Sequence, residues 1–155
     1  MTLRIGVIAD THGKLRPEAL AALDGSELIL HAGDVGAPYV LHALRALAPV
    51  VAVRGNNDRG TWAEALAEVE IVRVEEAAIY LLHDLAELAI DPVSAGVQAV
   101  VTGHSHRPAL STDRGVTYLN PGSAGPRRFK LPIAVARMDV DGRSVRAELV
   151  YLEPS

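Results

Sequence analysis

The chain has 155 residues, 15 Lys plus Arg against 19 Asp plus Glu, a formal net charge of −4, 49% apolar residues and no cysteine. Half the side chains being apolar supplies a real core and excludes an intrinsically disordered chain, and the length fits one domain spanning residues 1–155. Disulfides, thiolate metal sites and cysteine nucleophiles are excluded outright, and basic residues cluster only at Arg127, Arg128 and Lys130, which argues against nucleic acid as the main partner. No apolar run approaches a membrane span, and charged Arg4 and Asp10 bracket the first one, so the expectation is a cytoplasmic protein without a membrane partner.

The run LRIGVIA (3–9) is short, β-branched and ends at Asp10, as a strand buried on both faces does. A Pro-led apolar stretch, 17–23, suits a short helix closed by Asp24-Gly25. Residues 27–31 are a second strand, ending just before Gly33-Asp34. Residues 38–48 place Val40, Leu41, Leu44 and Leu47 on one helical face, Pro49 stops the helix, and 50–53 forms a third strand running into Gly55-Asn56. This β-α-β-α-β order implies a parallel sheet with helical crossovers. The second half is strand-rich, with strands expected at 68–74, 77–83, 97–103, 116–120, 131–140 and 143–153, short helices at 61–66 and 85–90, and hairpin turns at Asp113-Arg114-Gly115 and Asp141-Gly142. Two packed sheets flanked by helices, an α+β sandwich, is the fold class this pattern predicts.

The chemically capable residues fall at the C-terminal ends of these strands: Asp10 and His12, Asp34, Asn56, His83, then His104 and His106. Loops after strand C-termini gather into one crevice in open α/β sheets, so residues distant in sequence become neighbours there. The set offers four imidazoles, two carboxylates and one amide oxygen, all ligands for hard-to-borderline divalent cations. Seven donors are too many for one zinc ion and suit two ions sharing a carboxylate. Asp-x-His alone carries no information, whereas Gly-His-x-His is expected only about 0.02 times by chance in a chain of this length and composition.

In order, the motifs are Asp10-Thr11-His12, Gly33-Asp34, Gly55-Asn56-Asn57-Asp58, His83 and Gly103-His104-Ser105-His106. With Asn120-Pro121-Gly122-Ser123 after a late strand, the chain resembles the calcineurin-like metallophosphoesterases, and within them the small bacterial and archaeal phosphodiesterase branch. The resemblance runs from Ile5 to about Val140. It implies a four-layer α/β/β/α sandwich and a phosphoesterase, specifically a phosphodiesterase, with two divalent metal ions per chain. By position it implies Asp10, His12 and His106 on one ion, Asn56, His83 and His104 on the other, and the Asp34 carboxylate bridging them. Asp34 and Asn56 would then be catalytic, and a hydroxide between the ions would attack phosphorus in line, with no covalent enzyme intermediate. Manganese is the preferred metal expectation, with iron, zinc, nickel or cobalt compatible with the same donors. The substrate would be a small-molecule phosphate ester, and the same branch implies a homo-oligomer as a further expectation.

Two positions depart from the family pattern. Asn57 stands where many relatives place a histidine that protonates the leaving oxygen, and an amide cannot act as a general acid. The expected consequence is slow release of poor alkoxide leaving groups and a relative preference for phosphodiesters or aryl phosphates. The run His83-Asp84-Leu85 replaces the branch's His-Gly-His, leaving Asp84 where a glycine is usual. These departures motivate an alternative, a protein-binding scaffold reusing the fold, as a subunit of the eukaryotic retromer coat does; a nuclease ranks below both because of the acidic balance. Asn57, Asp58 and Arg127 are the candidates for orienting ligands or contacting substrate, and Arg128 shares Arg127's position after the Asn120–Ser123 turn. His31 and His42 match no ligand position and read as structural, with His31 near enough to Asp34 to support it.

Overall fold

The computed structural model describes residues 2–152. Its first sheet has the spatial order β10-β9-β1-β2-β3. The parallel core comes from β1 (Thr2–Ile8), β2 (Leu28–His31) and β3 (Val50–Ala52), joined by helix α1 (Pro17–Leu23) and helix α2 (Pro38–Arg45). Both helices begin at proline, whose fixed φ and missing N–H suit the first helical position. They pack on the outer face of this sheet, where Ala19, Leu23, Val40, Leu41 and Leu44 meet Ile8, Ile29 and Val135. The sheet is completed by β9 (Ala134–Asp141), antiparallel to β1, and by β10 (Ser144–Tyr151) on its edge. Glu153, the last residue of the expected final strand, lies outside the described residues.

The second sheet comprises β4 (Val69–Val74), β5 (Ala77–Leu82), β6 (Ala99–Val101), β7 (Ala109–Asp113) and β8 (Val116–Asn120), ordered β4-β5-β6-β8-β7. Here β5, β6 and β8 run parallel, and β4 and β7 close the sheet with antiparallel hairpins. Between the sheets lies the main core, built from alternate residues of facing strands: Ile5, Val7 and Ala9, Ala136, Met138 and Val140, against Ile79, Leu81, Ala99 and Val101. At about 25 cal/mol per Å² of apolar surface, each fully buried Leu or Ile here contributes about 1.5–3 kcal/mol.

The two-sheet α/β sandwich is the fold expected from sequence, with local differences. The helix anticipated over 85–90 is a single 3-10 turn, Leu85–Glu87, preceded by Asp84, whose carboxylate accepts the Ala86 N–H at 3.0 Å. Leu88 and Ile90 then pack on Tyr80, Leu82 and Val100 without helical structure, so the layer outside the second sheet is mostly irregular. Another difference is β7, which was not foreseen. All five of its residues are exposed, so no apolar alternation marks it, and its pairing with β8 is what makes it a strand. In addition α3 (Thr61–Glu64) is shorter than the expected 61–66 helix, and α2 ends three residues before Ala48.

Candidate metal centre

The loops after β1, β2, β3, β5 and β6 meet at one end of the sandwich, and they bring together all seven residues singled out from the sequence. Backbone pairing does the first part of the work: Asp10 N–H donates to the Gly33 carbonyl at 3.0 Å, His12 N–H to Asp34 at 2.9 Å, and Gly103 N–H to His83 at 2.9 Å. Asp10, His12, Asp34, His104 and His106 all sit at positive φ, between 48° and 73°. Non-glycine residues rarely adopt that region, and five of them at one site mark a backbone held by its surroundings to aim side chains inward. Steric crowding requires glycine at positions 55 and 36, among others. A Cβ on Gly55 would lie 2.1 Å from the Asp34 nitrogen, and one on Gly36, itself at φ +91°, would lie 2.1 Å from the Gly13 nitrogen.

Two groups of side chains present donor atoms close enough to share a cation: Asp10, His12 and His106, and Asp10, Asp34 and His83. Asp10 is fully buried. Its Oδ2 accepts the His104 N–H at 3.0 Å, but Oδ1 has no hydrogen-bond partner and instead lies 3.6–3.9 Å from Nε2 of His106, His12 and His83. An orphaned buried carboxylate oxygen facing three imidazole nitrogens is costly as it stands and is what a shared cation would satisfy. The His12 and His106 Nε2 atoms are 3.3 Å apart. Burial pushes both rings below the ordinary histidine range, His106 to about 4, so both offer neutral lone pairs at neutral pH.

His83 is oriented from behind. Its Nδ1 donates to the Ala32 carbonyl at 2.7 Å, leaving Nε2 to face Asn56 Oδ1 at 2.9 Å and Asp34 Oδ2 at 3.2 Å. Asn56 Oδ1 is also 3.2 Å from His104 Nδ1, which joins the last histidine to this second group. Asp34 Oδ2 stands between the groups, 3.2 Å from His83 and 3.7 Å from His12.

The two carboxylates differ in protonation. Burial raises Asp10 to about 7, against the opposing charge of His83. Burial also pushes Asp34 upward, but the His83 hydrogen bond, the Asn57 N–H and the charges of His83 and His12 outweigh it and hold the group at about 2. His83 moves above the ordinary histidine range: burial opposes this, but its bonds to Asp34 and Ala32 prevail.

The supporting residues are as informative. Asn57 donates its backbone N–H to Asp34 Oδ1 at 2.8 Å and its side-chain amide to Oδ2 at 3.2 Å, fixing the plane of that carboxylate. Asp58, buried, accepts the N–H groups of Val35 (3.2 Å), Gly36 (2.9 Å) and Gly55 (2.9 Å), locking the Gly-Asp loop to the Gly-Asn loop. His31 is buried and not among the ligands. It accepts the Gly33 N–H at Nδ1 (3.1 Å) and donates from Nε2 to the Thr11 hydroxyl (3.0 Å), which donates in turn to the Val35 carbonyl (2.8 Å). Asn120 reaches Gly103 and Ser105 through its amide and accepts from Gly122, so the Asn-Pro-Gly-Ser turn braces the Gly-His-x-His loop. Among the described residues the Arg127 side chain has no hydrogen-bond or ion-pair partner in the site, whereas the Arg128 charge acts on Asp10, His12 and His106. Adjacency in sequence does not separate these two arginines; the reach of the Arg128 charge into the site does. Thr11 was also missed, since its role depends on His31 standing behind it.

Residues 3–143 match the model of the calcineurin-like phosphoesterase superfamily domain. The chain belongs to that superfamily. A protein described as a probable metallophosphoesterase from Methanothermobacter thermautotrophicus is 37% identical over 157 residues, spanning 94% of this chain and 91% of its own. Among solved structures, an archaeal phosphodiesterase superposes with a TM-score of 0.78 at 21% identity, covering 96% of this chain and all of its own. Vps29 from Entamoeba histolytica, solved with zinc, superposes with a TM-score of 0.76 at 24% identity over 97% of this chain and all of its own. These two likenesses establish the shared fold. No helix among the described residues is long and apolar enough to cross a membrane.

Proposed function

We propose that this chain is a two-metal phosphodiesterase acting on a small-molecule phosphate ester. The observation that carries the reading is the orphaned Asp10 Oδ1, buried among three imidazole Nε2 atoms beside the Asp34 carboxylate. In this reading Asp10, His12 and His106 would hold one ion, Asn56, His83 and His104 would hold a second, and the Asp34 carboxylate, within 3.7 Å of a histidine from each group, would be shared. The mixed oxygen and nitrogen donor set suits manganese and equally iron, zinc, nickel or cobalt. When bound, two divalent ions would supply Lewis-acid stabilisation of phosphate charge and lower the pKa of a water enough for it to attack phosphorus.

The chain's own residues decide the rest. Asp34, held far below the usual carboxylate range, is ionised at any working pH and needs no proton removed to serve. Asn57 keeps its plane fixed through two hydrogen bonds. That same amide occupies the place of a leaving-group acid and cannot donate a proton, so the leaving group must depart on its own acidity. Diesters and aryl esters tolerate this better than alkyl monoesters. Arg128 adds a positive charge at the histidine side of the site, suited to a phosphate oxygen.

The test is turnover of bis-p-nitrophenyl phosphate, against the p-nitrophenyl monoester, by protein stripped of metal and resupplied with single ions. A second reading has one specific observation behind it: Asn57 ties up Asp34 where an acid would act, and Vps29 shares the fold. Under that reading the chain binds metal and hydrolyses neither ester, and its site face is a docking surface for protein.

A further inference from the structure

The segment 126–130 is exposed throughout and follows the turn that braces the metal centre. It is fixed to that centre at its base. The Ser123 hydroxyl lies 3.1 Å from the Asp10 carbonyl and 3.2 Å from that of Pro126. Arg16 donates through Nε at 3.2 Å and Nη2 at 2.9 Å to the Gly125 carbonyl. Gly125 itself is so close to the first loop that a Cβ would lie 2.2 Å from the Thr11 carbonyl oxygen. Beyond this anchor the Leu131 N–H donates to the Arg128 carbonyl at 3.1 Å, closing a tight turn around Phe129 and Lys130.

Phe129 is the chain's one phenylalanine, and it is 89% exposed, where the other exposed large apolar residues lie between 38% and 59%. Its backbone is at φ 55°, a conformation that bulky residues avoid. An aromatic ring held in water on a strained turn, with cations at 127, 128 and 130, has a defined complement: a flat apolar face carrying negative charge. At 89% exposure the ring offers a stacking face and not a socket for an alkyl chain. Its cationic neighbours disfavour a basic partner.

We propose that the Arg127–Lys130 turn is a substrate-recognition arm that selects nucleotides, with the Phe129 ring stacking on the base and the flanking cations drawing the phosphate toward the centre. A single ring reads a single base, and a net charge of −4 repels an extended polyanion, so the ligand is a mononucleotide-sized ester and not a nucleic-acid strand. This inference rests on the phosphodiesterase reading and names the substrate class for it.

The test is calorimetric binding of adenosine 5′-monophosphate and ribose 5-phosphate, which share a phosphate and differ by the base, to the full chain equilibrated with manganese. Adenosine monophosphate is expected to bind at least about fivefold tighter, the lower end of what a base–aromatic stack supplies. Phe129→Ala should bring it to the ribose 5-phosphate value and leave ribose 5-phosphate unchanged; Phe129→Trp should retain the preference; Arg128→Ala should weaken both. The ring is exposed, so these variants put no core packing at risk. Equal affinities in the parent protein, no binding of either, or a preference that survives Phe129→Ala would each overturn the proposal. Turnover of bis-p-nitrophenyl phosphate by the same preparation separates the two claims: turnover without a base preference defeats the arm alone, and absence of turnover defeats the phosphodiesterase reading.

Discussion

Removing the Asp58 carboxylate is the sharpest structural perturbation available outside the ligand set. It accepts three backbone N–H groups, from Val35, Gly36 and Gly55, at 2.9–3.2 Å, and the residue is 6% exposed. In Asp58→Ala all three donors lose their partner at once. A buried unsatisfied donor costs about 1–3 kcal/mol, and water entering the small space left by the side chain recovers part of that, so the expected loss is about 2–5 kcal/mol. Against a total of about 5–15 kcal/mol, this is a large fraction of the stability of a domain this size. Urea unfolding of the metal-free protein measures it as a lower midpoint at unchanged slope. Because the same carboxylate ties the Asp34 loop to the Asn56 loop, affinity for the second ion should fall in parallel, read by calorimetric metal titration. Asp58→Asn should be intermediate, since one oxygen remains while the new amide points a donor at a donor. A change in stability below about 0.5 kcal/mol with unaltered metal affinity would refute the idea that Asp58 locks the two loops.

Other outcomes follow from the same geometry. Asp34→Asn should lower turnover of an aryl phosphodiester by at least about a hundredfold while the circular dichroism spectrum and unfolding midpoint stay near the parent's; unchanged turnover would remove Asp34 from the centre. Metal uptake should expel protons, because Asp10 sits near 7 and His83 above the ordinary histidine range. Calorimetry in buffers of different ionisation enthalpy should show release of more than about one proton per chain at pH 6 and a smaller release at pH 9, where the metal-bound water is the remaining source, and pH-independent release would contradict the Asp10 assignment. His31, held neutral by burial with its folded pKa lowered to about 3, gives stability that is full above 6.5 and is lost as pH falls toward 3. The metal-free His31→Gln protein should therefore show a shallower acid limb between those limits than the parent in urea midpoint against pH; identical slopes would rule His31 out as a source.

The sequence made the centre legible because its residues are punctuation. Asp10, Asp34, Asn56, His83 and His104 each follow an apolar, β-branched run or its glycine, so their position at a strand end could be read from patterning, and parallel topology brings strand ends together. What patterning could not supply was anything that depends on which way a side chain turns. His31 is one more residue of a buried strand until its ring is seen bridging Gly33 and Thr11. Arg127 and Arg128 are equivalent in sequence, and only their placement in the fold distinguishes the one whose charge acts on the histidines. The elements misread have similar causes. Leu85 and Leu88 have helical spacing, but the Asp84 carboxylate caps a 3-10 turn and Pro92 follows too soon for an α-helix to run on. The edge strand β7 has every side chain exposed, so it lacks the buried face through which a strand announces itself.

The central claim, that Asp10, Asp34, Asn56 and the four histidines form a catalytic two-metal centre, is tested most directly by hydrolysis of bis-p-nitrophenyl phosphate beside its monoester, with metal content measured on the same sample. Protein stripped by chelator should be inactive, and manganese or another borderline divalent ion should restore turnover as two ions bind per chain. The phosphodiesterase reading predicts the diester as the better substrate, and since both esters release p-nitrophenolate, the lack of a leaving-group acid at Asn57 slows neither. Two bound ions with no hydrolysis of either ester, or turnover that persists undiminished after stripping, would contradict the account.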